Sequence, residues 1–142
     1  MKVNSTRLLW VVQQFRRYYD RQFTDLLARS GLTMREMDVI LFLTNNPGHD
    51  TARDVTELRG LSKGAVSKAV ESLIQKSLLE RIPDTEDRRK IHLKLKPQVG
   101  PVAESIDEVR TEFINTVLEG FTKEELKVYA GFRDRQIGRA HV

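Results

Sequence analysis

The sequence predicts a mainly α-helical protein that carries one small β-hairpin near its middle. Apolar residues recur at every third or fourth position through most of the 142 residues, which places them on one face of a helix. One segment, residues 91–96, alternates apolar and polar residues instead, as a half-buried strand does. Capping signals separate the helical stretches, so we expect several helices on either side of the hairpin.

Two helices are predicted before the middle of the chain. The first runs from Thr6 to about Ala28, and its apolar residues fill two neighbouring strips, more than one packing partner requires. Such a helix usually lies between a domain core and a partner. Thr33 followed by Glu36 forms a capping box that begins the second helix, and the residues from Asn45 to Gly48 end it.

The next two predicted helices follow each other closely. One spans roughly Ala52 to Arg59 and ends at Gly60, where a left-handed residue is often needed. Ser62 caps the other, which continues to about Lys76. A short glycine-containing turn, followed by an amphipathic helix with small and basic residues outward, is the sequence form of a helix-turn-helix.

A β-hairpin is predicted directly after this motif. Its strands are Leu79 to Ile82 and Ile91 to Lys96, and the polar segment from Pro83 to Lys90 connects them. A hairpin in this position is a wing, so residues 33–97 are expected to form a winged helix-turn-helix lobe of the single domain, residues 1–142.

The chain is predicted to return to helices after the hairpin. A long helix begins at Pro97 and ends at Gly120, and Thr122 with Glu125 caps a last helix that extends to about Ile137. Residues 138–142 show no periodicity. We expect residues 1–30 and 98–138 to form a second, helical lobe.

Composition excludes several classes of protein. The 39% apolar and 31% charged residues are typical of an ordinary soluble domain, and the absence of cysteine excludes disulfides, iron–sulfur clusters and thiol oxidation. Apolar runs are too short for a membrane span, and the N-terminus lacks the features of a secretory signal, so we expect a cytoplasmic protein.

Neither catalysis nor a metal site is predicted. His49, His92 and His141 are too far apart for metal-ligand spacing, and no catalytic or phosphate-loop motif occurs. We therefore expect no cofactor, no metal and no enzymatic activity.

The positive charge of the chain is concentrated in its middle third. Residues 51–97 hold 11 Lys+Arg against 7 Asp+Glu, whereas the rest of the chain holds 13 of each. Such a surplus is expected of a surface that meets an anion, most often nucleic acid. It is also compatible with a solvated surface that binds nothing.

Two groups of residues are candidates for contact with double-stranded DNA. The N-terminal part of a recognition helix reaches base edges and phosphates, and basic side chains at a wing tip can enter the minor groove. Asp87 is expected to orient a neighbouring arginine through a charge-assisted hydrogen bond. The candidates are Ser62, Lys63, Gly64, Ala65, Ser67, Lys68, Asp87, Arg88, Arg89 and Lys90.

The order of these elements resembles the MarR (multiple antibiotic resistance regulator) family of winged-helix transcription factors over nearly the whole chain. The most specific likeness lies in Leu61-Ser62-Lys63 with Val66 and Ser67, Leu73, Leu78-Leu79 and Asp87-Arg88-Arg89. The resemblance implies that Arg89 is the minor-groove arginine, Asp87 its orienting partner and Arg88 a phosphate contact. The chain departs from the family pattern at Gly64, Ala65, Ser77 and Lys96.

The resemblance also implies a homodimer, formed through the first and last helices, that binds a near-palindromic operator. It further implies a repressor that a small organic effector, aromatic or phenolic, releases from DNA. The residues that would line the effector pocket cannot be named from the sequence. A winged-helix module that binds an acidic protein instead of a specific DNA sequence stays open as the alternative.

Overall fold

The computed structural model describes residues 2–140, so His141 and the end of the aperiodic tail lie outside the described residues. The expected mainly helical fold with a small hairpin is confirmed. Its elements are α1 (Ser5–Gln22), α2 (Thr24–Ser30), α3 (Met34–Asn45), α4 (Ala52–Arg59), α5 (Lys63–Gln75), β1 (Leu79–Pro83), β2 (Ile91–Leu95), a 3₁₀ turn (Pro97–Val99), α6 (Gly100–Val117) and α7 (Lys123–Ala140).

The chain forms two compact units, one that ends at Val109 and one that begins at Arg110. The hydrophobic core lies in the first unit, where α5 packs against both α3 and α4, and the hairpin packs against α3, α4 and α5. Its most deeply buried side chains include Phe23, Met37, Ile40, Val55, Val66, Leu73, Leu79 and Ile106.

The first predicted helix is interrupted, so the expectation of one continuous helix from Thr6 to Ala28 is wrong. The break falls at Phe23, whose amide donates to the Asp20 carbonyl at 3.2 Å and tightens the last turn of α1. The Phe23 side chain is fully buried and its ring meets Tyr19 edge-on, with 4.8 Å between centroids. Phe23 lies on the apolar stripe from which the helix is predicted, so periodicity reveals its burial but not the break.

The helix-turn-helix forms as predicted. Helix α4 has the predicted bounds, and Gly60 follows it in the left-handed region at φ 74°. The cap of α4 is a full capping box that the sequence analysis missed: Thr51 and Asp54 each accept the other's backbone N–H, at 3.1 and 3.2 Å. Helices α4 and α5 therefore lie on either side of one tight turn.

The hairpin is a two-stranded antiparallel sheet. Leu79 pairs with Leu95, Arg81 with Leu93 and Pro83 with Ile91. Leu79 and Leu93 are buried in the core, so the loop from Asp84 to Lys90 projects from a strand pair that is fixed by packing.

The C-terminal part differs from the prediction in two respects. The long helix begins at Gly100, after the 3₁₀ turn, and not at Pro97, and it ends at Val117 and not at Gly120. Thr122 and Glu125 form the predicted capping box, in which each side chain accepts the other residue's N–H at 3.1 Å. Helix α7 then continues to Ala140, so the expectation that residues 138–140 lie outside it is wrong. Gly138 is a weak helix breaker, and a single glycine costs only about 1 kcal/mol against alanine.

Candidate nucleic-acid interface

The N-terminus of α5 presents the first group of candidate residues. The Ser62 hydroxyl accepts the Ala65 N–H at 3.1 Å, so Ser62 is the N-cap that the sequence predicts. Ser62, Lys63, Gly64, Ser67 and Lys68 are exposed, whereas Ala65 is half-buried. The positive end of the helix dipole adds to the two lysine charges, which makes this end of α5 attractive to a phosphate.

Gly64 lies in open space. A Cβ atom added there would meet nothing within 4 Å, and its backbone is ordinary right-handed helix. The fold therefore does not require glycine at this position.

The wing loop is ordered by its own polar groups. One carboxylate oxygen of Asp84 accepts the N–H groups of Glu86 at 3.1 Å and Asp87 at 2.9 Å. Backbone bonds join Asp84 to Lys90 and Lys90 to Asp87, each at 3.0 Å. The basic tip is thus held as a closed turn, with Arg88, Arg89 and Lys90 exposed.

Asp87 positions Arg89 chiefly through the main chain. Its carboxylate accepts the Arg89 backbone N–H at 3.0 Å, while the Arg89 guanidinium Nε lies 3.9 Å away, too far for a hydrogen bond. The Arg89 side chain is 97% exposed. It is free to extend to a ligand while the backbone beneath it is fixed.

Two buried carboxylates, which the sequence analysis did not connect to α5, anchor the helix-turn-helix. Glu36 is 2% exposed and accepts hydrogen bonds from Lys76 at 2.7 Å and Ser72 at 3.2 Å, both near the C-terminal end of α5. The predicted capping box at Thr33 is therefore only half formed: Thr33 accepts the Glu36 N–H, and the Glu36 carboxylate turns to α5. Asp38 pairs with Arg59 at 3.2 Å and so ties α3 to α4.

His92 lies between two carboxylates, an arrangement that the sequence analysis did not predict. Its Nδ1 is 2.7 Å from Asp50, in the loop before α4, and its Nε2 is 2.7 Å from Asp84, at the start of the wing loop. Alternation along β2 predicts a polar-facing His92, but nothing in the sequence pattern links it to Asp50, 42 positions away.

A groove of about 470 Å³ runs between α4, α5 and the hairpin. Val66, Val70 and Leu93 contribute apolar surface to it, and Ser67 and Arg81 contribute polar groups. The Arg81 guanidinium is held by Glu71 of α5 at 2.8 Å.

Residues 2–140 contain neither a metal cluster nor a membrane-spanning helix. No cluster of three or more histidine, aspartate or glutamate side chains there would hold a metal ion. None of the helices in the described residues combines the length and hydropathy that a membrane span needs.

Comparison with known proteins finds both similar sequences and similar structures. Residues 30–90 match the sequence model of the MarR family. An uncharacterised HTH-type transcriptional regulator of Bacillus subtilis (strain 168), YwhA, is 30% identical over 90 residues. This match covers 63% of the chain and 65% of the relative, so it spans slightly less than two thirds of that protein.

Solved structures share the fold along almost the whole chain. A MarR protein from Peptoclostridium difficile superposes with a TM-score of 0.84 at 19% identity and covers 99% of this chain and 91% of its own. BpsR of Bordetella bronchiseptica, whose DNA binding is regulated by 6-hydroxynicotinic acid, gives a TM-score of 0.72 at 20% identity over 93% and 98% of the two chains. At these identities the superpositions establish the fold, and the match of residues 30–90 adds the sequence signature. Residues 30–90 therefore carry the sequence signature of the MarR family, and the chain shares the fold of MarR structures.

Proposed function

We propose that this chain is a sequence-specific DNA-binding transcriptional regulator that acts as a ligand-responsive homodimeric repressor. In this proposal the N-terminal half of α5 enters the major groove and the wing loop enters the minor groove of a near-palindromic operator. The contacts are assigned to the ten residues predicted above, with Asp87 in an orienting role.

One observation carries the proposal. The same unit exposes a capped helix N-terminus with Lys63 and Lys68 and an ordered loop tip with Arg88, Arg89 and Lys90. Val66, Ala69 and Val70 bury one face of α5 in the core, and the Lys76–Glu36 pair holds its C-terminal end, so the basic end is presented by a rigid support. Rigid presentation lowers the ordering cost of binding and suits a duplex of fixed groove geometry.

The homodimer is supported by apolar surface on the terminal helices. Helix α1 buries none of its residues, and Leu9, Trp10 and Val12 are each more than half exposed. Helix α7 exposes Tyr129 and Phe132 to a similar degree. Apolar surface of this extent usually marks an interface, and a two-fold dimer would present two recognition helices about 34–36 Å apart, one turn of DNA.

The effector part of the proposal rests on the family and on the groove beside α5. A volume of about 470 Å³ lies within the usual range of small-molecule sites. Arg81, which is paired with Glu71, lines the groove and offers guanidinium N–H donors. BpsR responds to 6-hydroxynicotinic acid, so small aromatic acids of this type are the first compounds to test as releasing ligands.

Selection of bound duplexes from a random pool at physiological salt tests the proposal. We expect an inverted repeat with half-sites about 10 base pairs apart. We expect Arg89→Ala to weaken binding to that repeat roughly tenfold or more per half-site, because a minor-groove arginine is lost. Sedimentation of the variant should give the wild-type oligomeric state, since Arg89 is far from α1 along the chain.

The same experiment separates the alternative of a protein-binding module. Specific DNA binding must keep its sequence preference while its affinity falls steeply with salt. If the folded protein enriches no sequence, the regulator proposal fails, and the basic surface should be tested against acidic proteins.

A further inference from the structure

The wing is connected to the start of α4 by a single imidazole ring. His92 of β2 places Nδ1 at 2.7 Å from Asp50 and Nε2 at 2.7 Å from Asp84. The ring is 26% exposed, and the two carboxylates are 37% and 23% exposed, so the bridge is partly shielded from water. A backbone bond from the Leu93 N–H to the Asp50 carbonyl, 2.7 Å long, runs beside it.

This ring belongs to a continuous series of hydrogen bonds that ends at the wing tip. Asp84 uses one oxygen for His92 and the other for the N–H groups of Glu86 and Asp87. Asp87 in turn accepts the Arg89 N–H at 3.0 Å. The orientation of Asp84, and through it the shape of the tip, therefore depends on its bond to His92.

The bridge requires the charged form of the ring. A neutral imidazole has one N–H donor and one acceptor, so one ring nitrogen would face a carboxylate with no proton between them. Only the imidazolium donates from both nitrogens. In agreement with this geometry, the hydrogen bonds to Asp84 and Asp50 raise the pKa of His92 above its ordinary value of 6.5, and the bond from His92 holds the pKa of Asp84 well below its usual range.

The charged groups around the bridge do not compete with it. Asp50 and Asp84 are the two groups whose charges act on His92. Desolvation by burial opposes the lowering of the Asp54 pKa, its hydrogen bonds with Thr51 produce most of that lowering, and His49 and Lys90 add smaller contributions. On the face of the sheet that carries His92, the next cross-strand pair is Glu80 with Lys94, two opposite charges.

We infer that His92 is a positioning residue that, when protonated, clamps the wing loop to the loop before α4 and so sets the orientation of the basic tip. The consequence for DNA binding rests on the proposed function. Protonation is complete below the ordinary pKa of histidine and is lost as pH rises through the raised pKa of His92. Operator affinity should therefore decline as pH rises from about 6.5, because the wing tip loses its clamp.

A titration of the free protein tests the clamp without DNA. NMR is used to follow the His92 ring and the Glu86 and Asp87 amides from pH 5.5 to 9. We expect His92 to titrate above the ordinary histidine pKa of about 6.5, and we expect the two wing amides to lose protection once His92 is neutral, beyond the general rise of amide exchange with pH. If His92 titrates at or below that ordinary value, or if the protection of the wing amides does not change with its titration, the inference is overturned.

Binding measurements then test the consequence for the wing. Affinity for the selected operator duplex is measured over the same pH range with the wild type, His92→Gln and the matched control His49→Gln. We expect the duplex affinity of the wild type and of His49→Gln to fall about 3- to 10-fold across the titration, which corresponds to the loss of one modest hydrogen bond. His92→Gln should bind the duplex more weakly at low pH, and its affinity should change less with pH.

The two failures are distinguishable. Equal pH profiles for His92→Gln and the wild type would overturn the positioning role even though DNA binds. If no duplex binds while the wing amides follow His92, the clamp is supported and the proposed function is the part that fails.

Discussion

Lys76 holds together three segments that are distant in sequence. Its ammonium group donates to the Glu36 carboxylate and to the Gly31 carbonyl, each at 2.7 Å, and so joins the end of α5 to α3 and to the end of α2. Glu36 is almost fully buried, whereas the Lys76 side chain is 35% exposed. Loss of the lysine would therefore leave a buried carboxylate without its cation.

We expect Lys76→Ala to lower the free energy of unfolding by about 2 kcal/mol at pH 7, the order of cost for an uncompensated, partly buried charge. Urea denaturation measures it, with Lys68→Ala as the control on an exposed lysine of the same helix. Equal losses for the two variants would show that the Glu36 contact does not contribute to stability.

Ser77 adopts a backbone conformation that suits glycine better. Its φ is 60°, in the left-handed region. The Ser77 and Leu78 N–H groups donate to the Ile74 and Leu73 carbonyls, each at 3.0 Å, so α5 ends in a Schellman motif with serine at the glycine position. Ser77 is one of the positions at which the sequence departs from the MarR-family pattern. The structure places it in left-handed backbone, where a side chain costs free energy.

Replacing Ser77 with glycine should stabilise the first unit by about 1 kcal/mol, because the strain of a side chain in left-handed backbone is removed. Thermal and urea unfolding of Ser77→Gly beside wild type measure the change. A lower stability for the glycine variant would show that the Ser77 side chain contributes more than its strain costs.

At the scale of elements, one residue at the start of α5 has both a structural role and a proposed DNA-binding role. Ser62 caps the helix through its hydroxyl and is also a candidate DNA contact. Aspartate caps a helix as well as serine does, but its negative charge would repel a phosphate. The two roles can therefore be separated by two substitutions at the same position.

For Ser62→Ala we expect a loss of about 1 kcal/mol in stability, from the missing cap. For Ser62→Asp we expect wild-type stability and weaker operator binding. Circular dichroism melts and fluorescence anisotropy with a labelled duplex report the two properties. Unchanged duplex affinity in Ser62→Asp would place the start of α5 away from the phosphates.

The elements also show where sequence reasoning succeeds and where it stops. The bounds of α4 follow from local signals, since Gly60 ends it and apolar spacing defines its buried face. The break at Phe23 has no counterpart in the sequence pattern, because the apolar stripe continues across it without a change of phase. The Glu36 and His92 contacts join residues 40 and 42 positions apart, a kind of information that one sequence does not contain.

At the scale of the whole molecule, the apolar stripe of α1 should determine the oligomeric state. Leu8, Val12 and Phe15 lie on one side of this helix, and all three are exposed. Gln13 is exposed about a third of a turn away from them. The two positions offer a matched pair for adding one negative charge.

Phe15→Glu should raise the dissociation constant of the proposed homodimer by roughly tenfold or more, because a charge is placed in its proposed apolar interface. Gln13→Glu should have a much smaller effect. Analytical ultracentrifugation over a range of concentrations compares them, and dissociation constants equal to that of the wild type for both variants would remove α1 from the interface.

The open space around Gly64 has a consequence for how such a regulator changes its target. The fold accepts any small side chain there, so mutation at this position is not restricted by stability. Replacement by alanine should even favour the helix by up to about 1 kcal/mol. In the proposed complex with DNA, position 64 is thus a place where operator preference can change while the rest of the protein stays as it is.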